Sequence, residues 1–211
     1  MSFALANLPN VSALTTALRT LEKDVGPVGF VILKMDKRGD WVFGANQTEV
    51  QPDTLWAVNP ASFVHGYIAW GDGEVLGEKM VPLTEPLPDV GPAPAGAEKG
   101  WQIQIGMSLK CISGPDKDME TRYTVTSVGG KKAVQQLGVA IAHQIEADQT
   151  KPVPVVKLKT DSYKHKTYGK ISVPIFDVVE WVGMDGKSDA ASAEDAAPAE
   201  AEEAPARRRR G

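Results

Sequence analysis

Residues 151–170 carry six lysines (Lys151, Lys157, Lys159, Lys164, Lys166 and Lys170) against a single acid, Asp161. Tyr163, His165 and Tyr168 are interleaved among them. Ammonium groups neutralise phosphates, and flat rings stack on bases that lack a partner strand. The mixture therefore suits a single-stranded nucleic acid and asks for no particular base sequence. The same residues also describe a solvated basic hairpin whose rings pack on lysine stems. Lys157, Lys159 and Tyr163 share one phase of a strand, opposite Val156 and Leu158. Lys164, Lys166 and Tyr168 follow in what reads as a short loop, so all six are expected to face one groove.

Other candidate contacts are dispersed along the chain. Residues 101–111 alternate Trp101, Ile103, Ile105, Met107, Leu109 and Cys111 with Gln102, Gln104, Gly106, Ser108 and Lys110. That is a strand with a core face and a polar face. In residues 120–128, Arg122, Thr124 and Thr126 oppose Tyr123 and Val125. The polar phases of these two strands, Lys110 and Arg122 included, form a face suited to a sugar-phosphate backbone, or an ordinary solvated sheet face. Phe63 and Tyr67 share a phase with His65 and could stack bases or lie under a neighbouring hairpin. Lys131 and Lys132 follow Gly129-Gly130 at the expected start of a helix. Positive charge there opposes the helix dipole, which an anion bound by the free N–H groups would explain. Two solvated lysines would explain it as well.

Catalytic chemistry finds little to work with. The chain has three histidines, at 65, 143 and 165, and one cysteine, Cys111, on an apolar phase. His143 has no acid or histidine four residues away, and Asp161 and His165 sit at a strand end, where their spacing fixes no geometry. The glycines before Lys131 fail the phosphate-loop pattern, because the position five before Gly130 is Val125 and Lys132 stands where Ser or Thr is needed. No enzymatic activity, cofactor or metal is expected.

The elements that must position these residues centre on residues 127–148. Val134, Leu137, Gly138, Ile141 and Ile145 make one apolar helical face, with Ser127 as the expected cap and Lys151-Pro152 beyond the end. Strand patterns cover residues 55–70, 101–111 and 120–128 before this helix, and residues 153–163 and 171–182 after it. Three strands, a helix and two strands is the chain order of a five-stranded OB-fold barrel. The expected class is therefore mainly β with α, an OB-like barrel with the helix between strands 3 and 4. Residues 10–25 read as an amphipathic helix with Val11, Leu14, Leu18, Leu21 and Val25 on one face, packed on the barrel. Residues 28–50 read as a β-hairpin turning at Arg38-Gly39-Asp40, and residues 71–100 as a long Gly/Pro-rich connector. The division expected is a helix over 1–26, the barrel with its hairpin over 27–182, and a disordered acidic tail over 183–211 closed by Arg207–Arg210.

Charge and cysteine usage bound the rest. Formal net charge is −4 for 211 residues, so a nucleic-acid site has to be a local patch. One cysteine allows no intrachain disulfide, and the first residues form no basic, apolar leader; a cytoplasmic protein without a membrane span is expected.

The order of elements, the basic aromatic hairpin and the acidic low-complexity tail resemble the OB-fold single-stranded DNA-binding proteins of bacteriophages, over about residues 55–206. The resemblance implies sequence-independent coating of single strands in replication and recombination, often as a homodimer. It also implies recruitment of replication or recombination proteins through the tail. Such tails end in acids and an aromatic residue, whereas this chain ends RRRRG. The competing class is a virion or other assembly protein that uses a β-barrel as scaffold and binds no nucleic acid.

Overall fold

Asp36 starts the first hairpin. Its Oδ1 accepts from the N–H groups of Arg38, Gly39 and Asp40 at 2.8, 2.9 and 2.9 Å, and Gly39 takes a positive φ of 98°. This turn joins β1 (Val31–Met35) to β2 (Trp41–Phe43), so Arg38-Gly39-Asp40 is a structural corner. The computed structural model describes residues 31–167 and 169–186. The expected helix over 10–25, Tyr168 and nearly all of the acidic tail with its arginines lie outside the described residues.

After β3 (Thr48–Glu49) come β4 (Leu55–Val58), a 3-10 turn (Pro60–Ser62), β5 (Val64–Gly71) and β6 (Glu74–Pro82). Next are β7 (Gln102–Cys111), β8 (Glu120–Val125), the helix α1 (Val128–Ala147), β9 (Val153–His165) and β10 (Gly169–Val182). The ten strands form one sheet in the order β10-β9-β4-β7-β8-β1-β2-β3, with β5 paired to both β6 and β7. The sheet curls on itself. Trp41 of β2 donates its indole N–H to the Lys159 carbonyl of β9 at 3.0 Å, and Thr160 Oγ1 donates to the Gly39 carbonyl at 2.7 Å. The far ends of the strand order thus meet through single side-chain hydrogen bonds and a shared core, not through a ladder.

The described residues are mostly β with a helix between β8 and β9, as the sequence pattern predicts, but the five-strand layout needs correction. Residues 71–100 are not all connector: β6 folds back on β5. Gly66 makes that close pairing feasible, since a Cβ there would lie 1.9 Å from the Lys79 carbonyl oxygen. The third expected strand, β8, is flanked by β1 in parallel, through Val31↔Thr121 and Leu33↔Tyr123. Alternation tells which face of a strand is apolar; it does not tell which strand lies alongside.

α1 follows its sequence pattern closely. Ser127 accepts at its hydroxyl from the Gly130 N–H at 3.2 Å, satisfying one of the free first-turn donors. Gly130, Ala133, Val134, Leu137 and Ile141 are its buried residues. A Cβ on Gly130 would come 2.2 Å from the Val125 side chain, so glycine lets the helix start this close to β8.

The core joins α1 to both ends of the sheet. Trp41, Tyr123 and Phe176 form a triangle of rings with centroids 5.4 to 5.6 Å apart, in tilted and edge-to-face geometry. Burial pushes the Tyr123 phenol well above its usual range. Above pH ~10 the unfolded chain sheds this proton while the folded chain keeps it. The group's contribution is thus complete below the unfolded value and declines above it, by about 1.4 kcal/mol per pH unit at most. In alkaline titration followed at the phenolate absorbance, one tyrosine is expected to ionise only together with unfolding.

Candidate nucleic-acid interface

β9 and β10 are long antiparallel partners running from Gly169↔His165 to Val182↔Val153. β4 supports β9 only over Leu55↔Lys157, Trp56↔Val156 and Ala57↔Val155. Beyond that, β9 and β10 continue as a two-stranded arm whose base touches the first hairpin at Thr160 and Gly39. At the tip, the Thr167 N–H donates to His165 Nδ1 at 3.1 Å. Tyr163, Lys164, Lys166 and Lys170 are all exposed.

The register corrects the expectation of six residues on one face. β9 does not end at Tyr163 but continues to His165, so Lys164 belongs to the strand and points opposite to Tyr163. Lys157, Lys159 and Tyr163 share one phase. Lys164 lies directly across from Lys170 on the other. Two like charges facing each other across a ladder are destabilising, and among the described residues neither lysine has an ion-pair partner. An anion between them would remove the repulsion.

The phase of Lys157 continues across the outer face of the sheet. Lys157 sits beside Leu55, Ala57 beside Lys110, and Ser108 beside Arg122. The curled sheet thus brings Lys157, Lys159, Lys110 and Arg122 into one band, with Leu55 and Ala57 as an apolar strip between. Arg122 is half-buried on the way to exposed Ile32. Three of the four cations meet acids that sequence spacing did not point to. Lys157 Nζ lies 2.7 Å from Asp53 Oδ1, Lys159 Nζ 2.6 Å from Asp177 Oδ2, and Lys110 Nζ 3.0 Å from Asp118 Oδ1. Hydrogen bonding to these ammonium groups holds the Asp53 and Asp118 carboxyls below the usual carboxylate range. Asp177 lies across from Lys157 in the β9–β10 register, which is fixed by how the two strands pair. Asp53 comes from a loop, which no periodicity places.

Exposed pairs of this kind contribute little to stability, about 0–1 kcal/mol, so phosphate can exchange for carboxylate at small cost. Replacing Asp53 and Asp177 together with asparagine is expected to tighten nucleic-acid binding about two- to fivefold per acid at low salt, from ~0.5–1 kcal/mol each. The melting temperature should stay nearly constant. A fluorescence-anisotropy titration compared with a melting curve checks both.

The remaining candidates lie elsewhere. Phe63 is a core residue, 8% exposed, and offers no face to a base. Tyr67 pairs with Ile103 on β7 and so takes the phase opposite to that of Lys110, half-buried. The expected alternation of β7 also fails at its start, where Gln104 is buried and Ile103 is exposed. The reason is β6, whose Glu78 accepts from Gln104 Nε2 at 2.6 Å and covers that face. Lys131 and Lys132 stand in the first turn of α1, which begins against Val173 of β10, and they lie outside the band.

His65 is bonded through Nε2 to the Glu85 carbonyl at 2.7 Å. Cys111 is fully buried with its Sγ donating to the Ser113 carbonyl, and burial pushes its thiol up, away from nucleophilic thiolate. Among the described residues no three His, Cys, Asp or Glu side chains gather as a metal site, and no helix is long and apolar enough to cross a membrane. No protein-family model, curated protein or solved structure matches the chain.

Proposed function

We propose that the protein binds single-stranded DNA without sequence preference, along the β9–β10 arm and the outer band of Lys157, Lys159, Lys110 and Arg122, and so protects single strands during replication or recombination. The observation that carries this reading is the arm: an exposed ribbon with Tyr163 on one side and an unneutralised Lys164–Lys170 pair on the other. Rings and unpaired cations on an exposed ribbon suit unstacked bases and a flexible phosphate chain. The finer fold assignment belongs to the same proposal. With β4 and β5 taken as one interrupted first strand, β7, β8, β9 and β10 follow as strands 2 to 5 of an OB-like barrel. In that architecture ligands bind on the face of strands 2 and 3 and on the loop joining strands 4 and 5. Those regions correspond here to the Lys110–Arg122 face and the tip of the arm.

The test is binding of labelled single-stranded and duplex oligonucleotides across salt concentrations. Single strands are expected to bind more tightly, with little sequence dependence. With about four phosphates neutralised, the log-log salt slope is expected near −3, from about −0.7 per contact. Equal affinity for duplex, or binding that ignores salt, would overturn the reading. Multimers that form without any nucleic-acid binding would favour the assembly-protein class instead.

A further inference from the structure

We propose that residues 10–25 form a helix that seats in an apolar groove between α1 and the β5–β7 end of the sheet. The groove has a volume of ≈ 870 Å³ and is walled by Ile103 and Ile105 of β7, Leu83 and Leu87 after β6, and Val139 and Ala142 of α1. Ile103 is 46%, Leu83 55% and Val139 56% exposed. A contiguous apolar surface of this kind marks an interaction site.

Three observations favour this occupant. The first is pattern: the 30 residues before Val31 contain Val11, Leu14, Leu18, Leu21 and Val25, spaced alternately three and four apart. That spacing makes a narrow apolar seam of the kind that packs between two walls. The second is fit. A helix of that length spans about 24 Å at ~1.5 Å per residue, comparable to α1, and the small Gly138 and Ala142 of α1 allow a second helix axis within about 8–10 Å. The third is reach. Ile32 lies beside Arg122, Arg122 beside Ser108, and the Ser108 N–H donates to Ser62 Oγ, next to the groove rim at Pro60 and Ala61. The rim is therefore about three strand spacings, ~14 Å, from β1. The chain from Val25 to Val31 extends up to about 20 Å, so the segment can dock on its own molecule. None of this depends on nucleic-acid binding.

The test uses the full chain with paired cysteines. Leu18→Cys lies on the seam and Val139→Cys on the groove; Thr16→Cys lies on the far side of the seam as a control. Cys111 is fully buried, and the single variants report any crosslink through it. Under mild oxidation, Leu18→Cys with Val139→Cys is expected to form a disulfide within one chain at least about fivefold faster than Thr16→Cys with Val139→Cys, identified by mass spectrometry of the linked peptides. Equal rates in the two pairs, no crosslink in either, or links that join two chains would overturn the proposal, the last by making a second copy the occupant. Val139 is exposed, so Val139→Cys leaves the core of the described residues intact.

Discussion

Replacing Tyr163 with alanine is expected to weaken single-strand binding by about 1–3 kcal/mol, roughly 5- to 150-fold, while Tyr163→Phe keeps affinity near that of the parent. The stacking energy resides in the ring, and phenylalanine retains the ring. Tyr163 is 52% exposed and pairs with Ile171 on an arm that β4 does not support. Its removal therefore opens no cavity, and the melting temperature should change little. If instead Tyr163→Ala unfolds the protein at lower temperature and leaves binding per folded molecule unchanged, the ring packs the arm and does not read bases. Changing Lys157 and Lys159 both to alanine complements this. The salt slope should flatten by about 1.4 if each holds a phosphate, less any part already neutralised by Asp53 and Asp177.

The opposite pairing of effects is expected at Trp56. This side chain is fully buried on β4, between Cys111 of β7 and Val156 of β9, and its indole N–H donates to Thr54 Oγ1 at 3.1 Å. Trp56→Ala removes the largest fully buried side chain of the core. It should cost about 3–5 kcal/mol, the sum of lost transfer energy and an incompletely collapsed cavity. For a chain of this size that lowers the melting temperature by roughly 6–20 °C at ~2–4 °C per kcal/mol. Because β4 holds the arm and the Lys110 face in one sheet, the variant should bind normally while folded and lose binding at its lowered transition. A melting curve and a binding titration on both variants would show two separable functions: Trp56 builds the platform and Tyr163 uses it. A Trp56→Ala protein that melts like the parent would mean that the core repacks around the gap.

The contrast between these two residues also separates what could be read in the chain from what could not. Periodicity alone determines the local elements. The stripe Val134, Leu137, Ile141 and the cap Ser127 define α1 almost to the residue. The alternation through Met107, Leu109 and Cys111 defines β7, and the turn at Arg38-Gly39-Asp40 defines the first hairpin. These features depend on interactions within a few residues, which the sequence lists side by side. The lysine-rich arm is legible for the same reason, since charge density is a local property.

Which strand lies beside which is not local. The parallel docking of β1 on β8, the pairing of β5 with β7 and the burial of Gln104 beneath β6 each join segments more than 20 residues apart. Loop closure between such segments costs little more for one pairing than for another, so the core has to choose among them. The same holds for the site. Carboxylates from Asp53 and Asp118 reach Lys157 and Lys110 only because a loop and a turn deliver them there. Lys164 turned away from Tyr163 because the strand ran two residues past its expected end. In a strand each residue points opposite to the next, so residues expected in a loop are divided between the two faces of the arm once the strand runs through them. Only the pairing of β9 with β10, fixed by the whole sheet, decides which face each lysine takes.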